Sequence, residues 1–266
     1  MSAPASPQIL AEGVDKTFRS PDGQEVVALR GIQLAVTPGE FVCLLGPSGC
    51  GKSTLLNAIA GFSLPTAGTL LANGRPVTEP GPDRAMVFQE YALFPWMTIA
   101  KNIAFGLEIK GESRETIDRK VAELLKLLSL AEFANRFPKD LSGGMRQRVA
   151  IARVLALDAP ILLMDEPFGA LDALTRRNLQ DEVLRIWTEF KTTILFVTHG
   201  IEESIYLADR IVVMTYRPGT VKTVVPVTLP RPRDTASPEF NALKRHLTGL
   251  VMEEQRRHEE DEIRRH

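Results

Sequence analysis

The stretch Phe41-Val-Cys-Leu-Leu-Gly-Pro-Ser-Gly-Cys-Gly-Lys-Ser-Thr54 decides the fold class of this chain. Its first five residues are apolar, as in a strand that is buried on both faces. The residues Gly46 to Ser53 match the pattern G-x4-G-K-[ST], and the segment from Lys52 to Ala60 is predicted to be a helix that ends at Gly61. A glycine-rich turn between such a strand and such a helix is typical of a phosphate-binding loop, because backbone N–H groups and the positive end of the helix converge on phosphate oxygens.

This loop assigns roles to individual side chains. Lys52 is expected to contact the β- and γ-phosphates of a nucleotide, and the Ser53 hydroxyl to ligate Mg²⁺. The alternative is an accidental glycine-rich turn, which the strand before it and the helix after it disfavour. The predicted nucleotide-binding residues of this segment are Gly46, Pro47, Ser48, Gly49, Cys50, Gly51, Lys52, Ser53 and Thr54.

Composition limits the other classes of function. The chain has 266 residues, of which 44% are hydrophobic and 24% charged, as is usual for a globular protein rather than a disordered or fibrous one. Its net charge of -1 gives no overall attraction to nucleic acid, and we expect no nucleic-acid partner. The longest uncharged stretch, residues 53–74, contains Asn, Pro and Gly residues and does not read as a membrane span.

Short apolar runs alternate with helical patterns along the chain. Residues 8–36 are predicted to be antiparallel strands around a turn at Pro21-Asp22-Gly23, whereas residues 91–140 read as a helical insertion. The runs at 161–164, 193–197 and 211–214 are predicted strands, with helices over 172–190 and 201–208 between them. This alternation predicts a mostly parallel sheet covered by helices. Beyond residue 230 we expect a linker, an amphipathic helix and a solvated charged tail that contains His246, His258 and His266.

Two carboxylates follow a buried strand in Ile161-Leu-Leu-Met-Asp-Glu166. Ligands of open α/β sheets bind at the carboxyl ends of the strands. We therefore expect Asp165 to hold Mg²⁺, directly or through water, and Glu166 to polarise the attacking water. The alternative is a strand that simply ends in solvated acids.

A second candidate anion site lies in Leu141-Ser-Gly-Gly-Met-Arg-Gln-Arg148. Ser142 suits an N-cap, and Gly143 and Gly144 leave backbone N–H groups bare at the start of a helix. Taken alone, the run is equally compatible with a capped surface helix. However, Leu-Ser-Gly-Gly-x-x-Gln resembles the signature motif of ABC-type ATPases. The resemblance makes Ser142, Gly143, Gly144 and Gln147 nucleotide contacts.

Further positions match that family in order. Gln89 resembles the Q-loop glutamine, which contacts Mg²⁺ or the attacking water and senses the membrane partner. Ala170-Leu-Asp172 resembles the D-loop at the dimer interface, His199 the switch histidine at the γ-phosphate, and Phe18 the aromatic residue against adenine. An ordinary core phenylalanine is the alternative for Phe18. Gly200 departs from the family, which usually has Asp after the histidine, and puts the rigidity of this loop in doubt.

The resemblance covers about residues 8–230 and implies an ABC-type ATPase domain. The implied fold is α/β: a P-loop NTPase with a RecA-like, mostly parallel sheet, an N-terminal antiparallel β subdomain and an inserted α-helical subdomain at about 91–157. Residues 231–266 would form a C-terminal linker and charged helical tail. The implied ligands are ATP and Mg²⁺, with catalysis by Glu166, His199 and Gln89 and metal contacts from Ser53, Gln89 and Asp165.

The family also implies partners and a location. ABC-type ATPases close as head-to-tail homodimers around two ATP molecules, and in importers they bind integral membrane permease subunits at the cytoplasmic face of the inner membrane. An extracytoplasmic solute-binding protein would be an indirect partner. The runs 87–96, 164–173 and 180–187 resemble the nitrate/sulfonate/taurine importer group, which implies a small anionic solute. Two alternatives remain: a soluble mechanical ABC ATPase without a transporter, and a nucleotide-gated scaffold that does not hydrolyse ATP.

Overall fold

The computed structural model describes residues 6–20 and 23–263. Their contacts separate two compact units, one that runs up to Gly81 and resumes at Lys191, and one from Pro82 to Phe190. We refer to them as the first and the second unit. The predicted helical insertion lies within the second.

Ten strands and seven α-helices follow one another along the described chain. The strands are β1 (Ile9–Arg19), β2 (Glu25–Val36), β3 (Phe41–Leu45), β4 (Ala67–Ala72), β5 (Arg75–Pro76), β6 (Arg84–Val87), β7 (Ile161–Asp165), β8 (Thr193–Thr198), β9 (Arg210–Met214) and β10 (Val221–Pro226). The helices are α1 (Lys52–Ala60), α2 (Ile99–Ile109), α3 (Arg114–Leu127), α4 (Gly143–Leu155), α5 (Ala173–Phe190), α6 (Ile201–Leu207) and α7 (Pro238–Ile263).

An antiparallel sheet with strand order β2-β1-β4-β5 forms part of the first unit. β1 and β2 pair from Ile9 opposite Val36 to Arg19 opposite Glu25, which confirms the antiparallel strands predicted for residues 8–36. Of the predicted turn between them, Pro21 and Asp22 lie outside the described residues.

The first unit also contains parallel strands. β3 pairs in parallel with β8 on one side and with β9 on the other, and β10 lies antiparallel to β9. Every residue of β3 and β8 is buried, which explains why both read as continuous apolar runs in the sequence. The alternation pattern predicted β3, β8 and β9 but not β10, whose burial is only partial.

The second unit combines the parallel pair β6–β7 with four helices. Thr98, Ser113 and Ser142 cap α2, α3 and α4, each accepting a hydrogen bond from the backbone three residues on. Val121, Leu124 and Leu125, which are spaced three and four residues apart on α3, are buried. In the part of the chain that is described, none of the helices combines the length and hydropathy needed to cross a bilayer.

The C-terminal segment differs from the prediction of a solvated tail. α7 is one continuous helix whose Phe240 and Leu247 are fully buried, as its amphipathic pattern predicts. Glu254, however, is only 1% exposed, and the ring of His258 is stacked on that of Tyr216. Lys222 on β10 supplies the ammonium group that makes burial of the Glu254 carboxylate tolerable, and composition alone does not reveal such a partner.

The linker before α7 is also ordered by a buried cation. The Arg233 guanidinium is 4% exposed and donates to backbone carbonyls of Leu229, Ile205, Tyr206, Ala208 and Val227. Burial, together with the charge of Arg231, lowers the Arg233 pKa to about 10. The guanidinium thus donates hydrogen bonds to backbone carbonyls at the carboxyl end of α6, where the carbonyls lack N–H donors from a following turn of helix.

Candidate functional site

The phosphate loop, residues 46–53, adopts a conformation that requires its glycines. Gly49 and Gly51 have φ values of 75° and 96°, in the left-handed region that side chains disfavour. At Gly46 the restriction is space, because a Cβ there would lie 2.9 Å from Cys50 Sγ and 3.1 Å from the Met214 carbonyl oxygen. Each glycine of the pattern therefore has a local structural reason.

The loop leads directly into α1, whose first turn contains no acidic residue. The positive end of the helix is therefore not neutralised by its own first turn, as an anion-binding helix terminus requires. Ser48, Gly49 and Ser53 are exposed, whereas Cys50 and Lys52 are buried. The open face of the loop thus carries small residues and backbone groups.

Lys52 bends back onto its own loop. The side chain is 5% exposed, and Nζ donates to the carbonyl oxygens of Gly46 and Pro47, both at 2.9 Å. The hydrogen bonds of an ammonium group to neutral carbonyl oxygens are weaker than its hydrogen bonds to an anion. A phosphate entering the loop would therefore attract this side chain.

Burial raises the pKa of the Cys50 thiol, and the nearby Lys52 ammonium opposes that rise without cancelling it. Cys50 is therefore neutral at physiological pH, and its side chain is part of the loop's core rather than of its open face. A buried, neutral thiol of this kind is not a reactive one.

His199 leaves the sheet next to the phosphate loop. In the β3–β8 pair Leu45 lies opposite Thr198, so that Gly46 and His199 are the next residues of two adjacent strands. His199 is exposed there. The Gly200 N–H donates to Thr198 Oγ1 at 2.8 Å, and the Thr198 hydroxyl also bonds Glu203. These bonds tie down the backbone on both sides of His199 although the family's usual aspartate is absent.

Phe18 lies near the end of β1 in the same unit, and its side chain is 43% exposed. The alternative of an ordinary core phenylalanine therefore does not describe it. The Lys16 ammonium lies 5.0 Å from the centre of its ring. A flat, partly exposed aromatic face of this kind can stack on a nucleotide base.

In the second unit, β6 and β7 present their polar residues at the same end. Val87 lies opposite Met164, so that Gln89 follows one strand while Asp165 ends the other. Glu166 comes next with φ 42°, a strained conformation for a non-glycine residue. Strained backbone conformations are often found at functional sites, where the direction of a side chain matters. Here the strained residue is Glu166, the predicted catalytic carboxylate.

The signature run forms the N-terminus of α4, also in the second unit. Ser142 Oγ accepts from Met145 N at 3.3 Å, as predicted for an N-cap, and the first turn has no acidic residue. Gly143 and Gly144 occupy its first two positions. Gln147 differs from them, because its side chain is fully buried and neither amide atom has a hydrogen-bond partner within the described residues. Its predicted nucleotide contact stays a prediction.

The predicted metal ligands are oxygen donors. The Ser53 hydroxyl lies in the first turn of α1, and the Asp165 carboxylate ends β7. Hydroxyl and carboxylate oxygens are the donors that Mg²⁺ prefers, usually together with phosphate and water. The donor chemistry of these residues therefore fits Mg²⁺.

Sequence reasoning missed the contacts made by the loop after β9. Arg217 Nε donates to the Gly49 carbonyl at 3.1 Å across 168 positions of the chain. Gly219 lies against Cys50, since a Cβ at position 219 would be 2.1 Å from the Cys50 carbonyl oxygen. The only sequence signal is the Arg-Pro-Gly turn itself, which does not identify what the turn contacts.

Comparison with known proteins gives consistent matches. The family model described as ABC transporter matches residues 29–169. An uncharacterized ABC transporter ATP-binding protein of Methanocaldococcus jannaschii is 47% identical over 247 residues, which cover 93% of this chain and 92% of that protein. The aliphatic sulfonates import ATP-binding protein of Bacillus subtilis is 45% identical over 226 residues, covering 85% of this chain and 88% of that protein.

A longer relative and a solved structure extend the comparison. The nitrate import ATP-binding protein of Synechococcus elongatus is 43% identical over 255 residues, which cover 93% of this chain and 39% of that protein. A dimeric ATP-binding cassette solved in a post-hydrolysis state with ADP and Pi superimposes with a TM-score of 0.73 at 33% identity, covering 82% of this chain and 98% of that one. The predicted α/β cassette fold, with its antiparallel sheet, mostly parallel sheet and helical subdomain, is confirmed.

Proposed function

This chain belongs to the ABC transporter family, and from that membership we propose that it is the ATP-hydrolysing subunit of an importer for a small oxyanion. The observation that carries the proposal is the phosphate loop, in which backbone N–H groups, an unneutralised helix end and Lys52 are collected in one place. The ATP-binding and transport-coupled ATPase activity follows from the family. The assignment of residues, partners and solute is our inference.

In the proposed mechanism, the chain acts mainly by holding phosphates and orienting water. Lys52 transfers its hydrogen bonds from the Gly46 and Pro47 carbonyls to the β- and γ-phosphates. His199 contacts the γ-phosphate from the neighbouring strand end, and Phe18 stacks on the adenine ring. Bound Mg²⁺, for which Ser53, Gln89 and Asp165 are the proposed ligands, would neutralise phosphate charge. Glu166 orients the attacking water.

We further propose that two copies of the chain close around two ATP molecules. The N-terminus of α4, with Ser142, Gly143 and Gly144, would contact the triphosphate bound to the phosphate loop of the partner copy. Support comes from the dimeric, ADP- and Pi-bound cassette that this chain resembles. The absence of an acidic residue in the first turn of α4 is also consistent with an anion at this helix end.

A groove on the second unit is the surface that we assign to the permease. A groove of about 560 Å³ lies between α2 and α3, lined by Ala100, Lys101, Ala104, Glu108, Ile117 and Val121 among others. Trp96, just before α2, has a side chain that is 70% exposed. We propose that a helix of an integral membrane permease docks here, which would place the subunit at the cytoplasmic face of the membrane. A solute-binding protein would be an indirect partner.

The solute class is inferred from the relatives. Their names specify aliphatic sulfonates, nitrate and bicarbonate. These solutes are small oxyanions. The permease and the binding protein would select among them, since the residues assigned above all serve nucleotide or permease contacts.

Steady-state phosphate release tests the activity. We expect the purified protein to release phosphate from ATP only with Mg²⁺, and Lys52→Ala to slow release by roughly 10² or more because a charge at the transferred phosphoryl group is lost. Lys126→Ala, which removes an exposed lysine of α3, is the matched control and should behave as native protein. Native protein that neither binds nor hydrolyses ATP would overturn the proposal.

Recovery from detergent-solubilised membranes tests the permease assignment. Native protein should copurify with integral membrane subunits, and Trp96→Ala should reduce the yield at unchanged phosphate release. Hydrolysis without any membrane partner would favour the alternative of a soluble mechanical ATPase.

A further inference from the structure

The loop after β9, residues 215–219, lies between the phosphate loop and the C-terminal helix. On one side Arg217 and Gly219 contact Gly49 and Cys50, and on the other Tyr216 contacts α7. All of these residues belong to the first unit. We propose that Arg217 is a positioning residue for the phosphate loop and that α7 holds it in place through Glu254. The inference rests on the proposed function and adds a residue and an element to its nucleotide site.

The contacts to the phosphate loop fall on two successive peptide groups. Arg217 Nε holds the Gly49 carbonyl at 3.1 Å, which orients the peptide between Gly49 and Cys50. The backbone of Gly219 lies directly against the Cys50 carbonyl, which restricts the next peptide. In a trans peptide the N–H group points away from the C=O group. Contacts on these two carbonyls therefore also direct the N–H groups of Cys50 and Gly51.

Within the loop the Cys50 N–H donates to the Pro47 carbonyl oxygen at 3.4 Å, and the Gly51 N–H belongs to the set of backbone donors that we propose for phosphate. Both glycines in this segment have left-handed φ values, which allow several backbone orientations when nothing else restricts them. Affinity for an anion rises when the donors are oriented before it arrives, because less conformational freedom is lost on binding. Arg217 would supply that orientation from outside the loop.

The other side of the 215–219 loop is attached to α7. The Tyr216 N–H donates to Glu254 Oε2 at 3.0 Å, and the Tyr216 ring is stacked on His258 with centroids 4.1 Å apart and planes at 21°. Tyr216 directly precedes Arg217. The position of Glu254 therefore determines where the backbone that carries Arg217 can lie.

Glu254 is itself held firmly. Its carboxylate is 1% exposed, and Oε1 accepts from Lys222 Nζ at 2.7 Å and from Arg257 Nη1 at 3.2 Å. Lys222 also bonds Glu253 at 2.7 Å. A buried carboxylate tolerates few other arrangements, because moving it would leave a charge without a partner. This cluster therefore fixes α7 against β10 and, through Tyr216, against the loop.

The test measures nucleotide affinity rather than stability alone. Equilibrium binding of a fluorescent ATP analogue and phosphate release against ATP concentration are compared for native protein, Arg217→Ala, Arg217→Lys, Glu254→Ala and Glu254→Gln. Arg217→Ala should weaken binding about 3- to 10-fold, the size expected for one hydrogen bond, and raise KM more than it changes kcat. Arg217→Lys should recover part of the loss, because lysine keeps a donor but not the planar fork.

The variants at Glu254 test the attachment to α7. Glu254→Ala should weaken binding in the same direction, and Glu254→Gln, which keeps an oxygen acceptor for the Tyr216 N–H, should weaken it less. In the double variant the two losses should not add, since both act through the same contact. Arg245→Ala, which removes an exposed arginine of α7, is the control and should bind as native protein.

The possible outcomes distinguish a failure of the proposed ATPase function from a failure of the role proposed for Arg217. Native protein that binds no nucleotide would contradict the proposed function. Native protein that binds, with Arg217→Ala binding equally well, would overturn only this inference. Losses that are fully additive in the double variant would show that Glu254 acts separately from Arg217 and would also overturn it. The single variant Arg217→Ala keeps the test valid if Glu254→Ala fails to fold.

Discussion

Leu45 and Thr198 are partners across two parallel strands, so that the phosphate loop and His199 begin at the same level of the sheet. Both strands are buried along their whole length. A residue that follows such a strand has its backbone position set by the core. The backbone position of His199, the predicted switch histidine, is therefore set by the end of β8 and by the hydrogen bond from the Gly200 N–H to Thr198.

His199→Ala should slow phosphate release by roughly 10² while ATP binding is largely retained, because the side chain would act on charge that develops in the transition state. Single-turnover hydrolysis and equilibrium binding measure the two effects. His246→Ala, an exposed histidine on α7, serves as the control. Equal losses in binding and in turnover would instead indicate a general contribution to the site.

Glu166→Gln should slow hydrolysis by roughly 10² or more, because the amide cannot accept the proton of the attacking water. ATP should remain bound, and the closed dimer should accumulate. Gel filtration with ATP and Mg²⁺ detects the dimer, and phosphate release gives the rate. Glu132→Gln, in an exposed position of the second unit, is the control. Near-normal turnover would remove Glu166 from the catalytic role.

Cys50 should react slowly with maleimide at pH 7. Its side chain is fully buried, and burial raises the pKa of the thiol, so that little thiolate is present. We expect labelling of the folded protein to be at least about 10-fold slower than labelling in denaturant, and to accelerate as the pH rises toward 9. Mass spectrometry of the labelled peptide measures it. Equal rates in folded and unfolded protein would contradict the buried position.

Glu40 should contribute to stability at neutral pH but not in acid. Burial alone would raise the Glu40 pKa, yet hydrogen bonds from Arg210 and Thr37 and the Arg210 charge outweigh burial and lower it. A carboxylate with a lowered folded pKa stabilises the protein above its unfolded pKa, and this contribution disappears as the pH falls through the folded value.

Glu40→Gln should therefore lower the free energy of unfolding by roughly 1–2 kcal/mol at pH 7, and the difference from native protein should shrink below about pH 4. Chemical denaturation at several pH values measures it, with the exposed Glu12→Gln as control. A difference that stays constant across this pH range would show that the charge of Glu40 is not what stabilises the fold.

The elements that local patterns specify were predictable. α1 begins at Lys52 and ends at Ala60 as the sequence predicts, and Gly61 at its end has the left-handed φ value typical of a glycine that terminates a helix. The buried strands β3, β7 and β8 were equally visible, since continuous apolar runs need cover on both faces. The phosphate loop and the cap of α4 also followed from neighbouring residues alone.

Sequence alone thus determined the antiparallel N-terminal strands, the alternation of buried strands and helices apart from β10, the phosphate loop and the resemblance to the family. Only the tertiary structure decided that β10 pairs with β9, that Glu254 is buried, and that Arg217 bonds Gly49. The physical reason is distance along the chain. A turn or a cap is specified by residues within a few positions, whereas a buried carboxylate or a guanidinium finds its partner 32 or 168 positions away only after the core has packed.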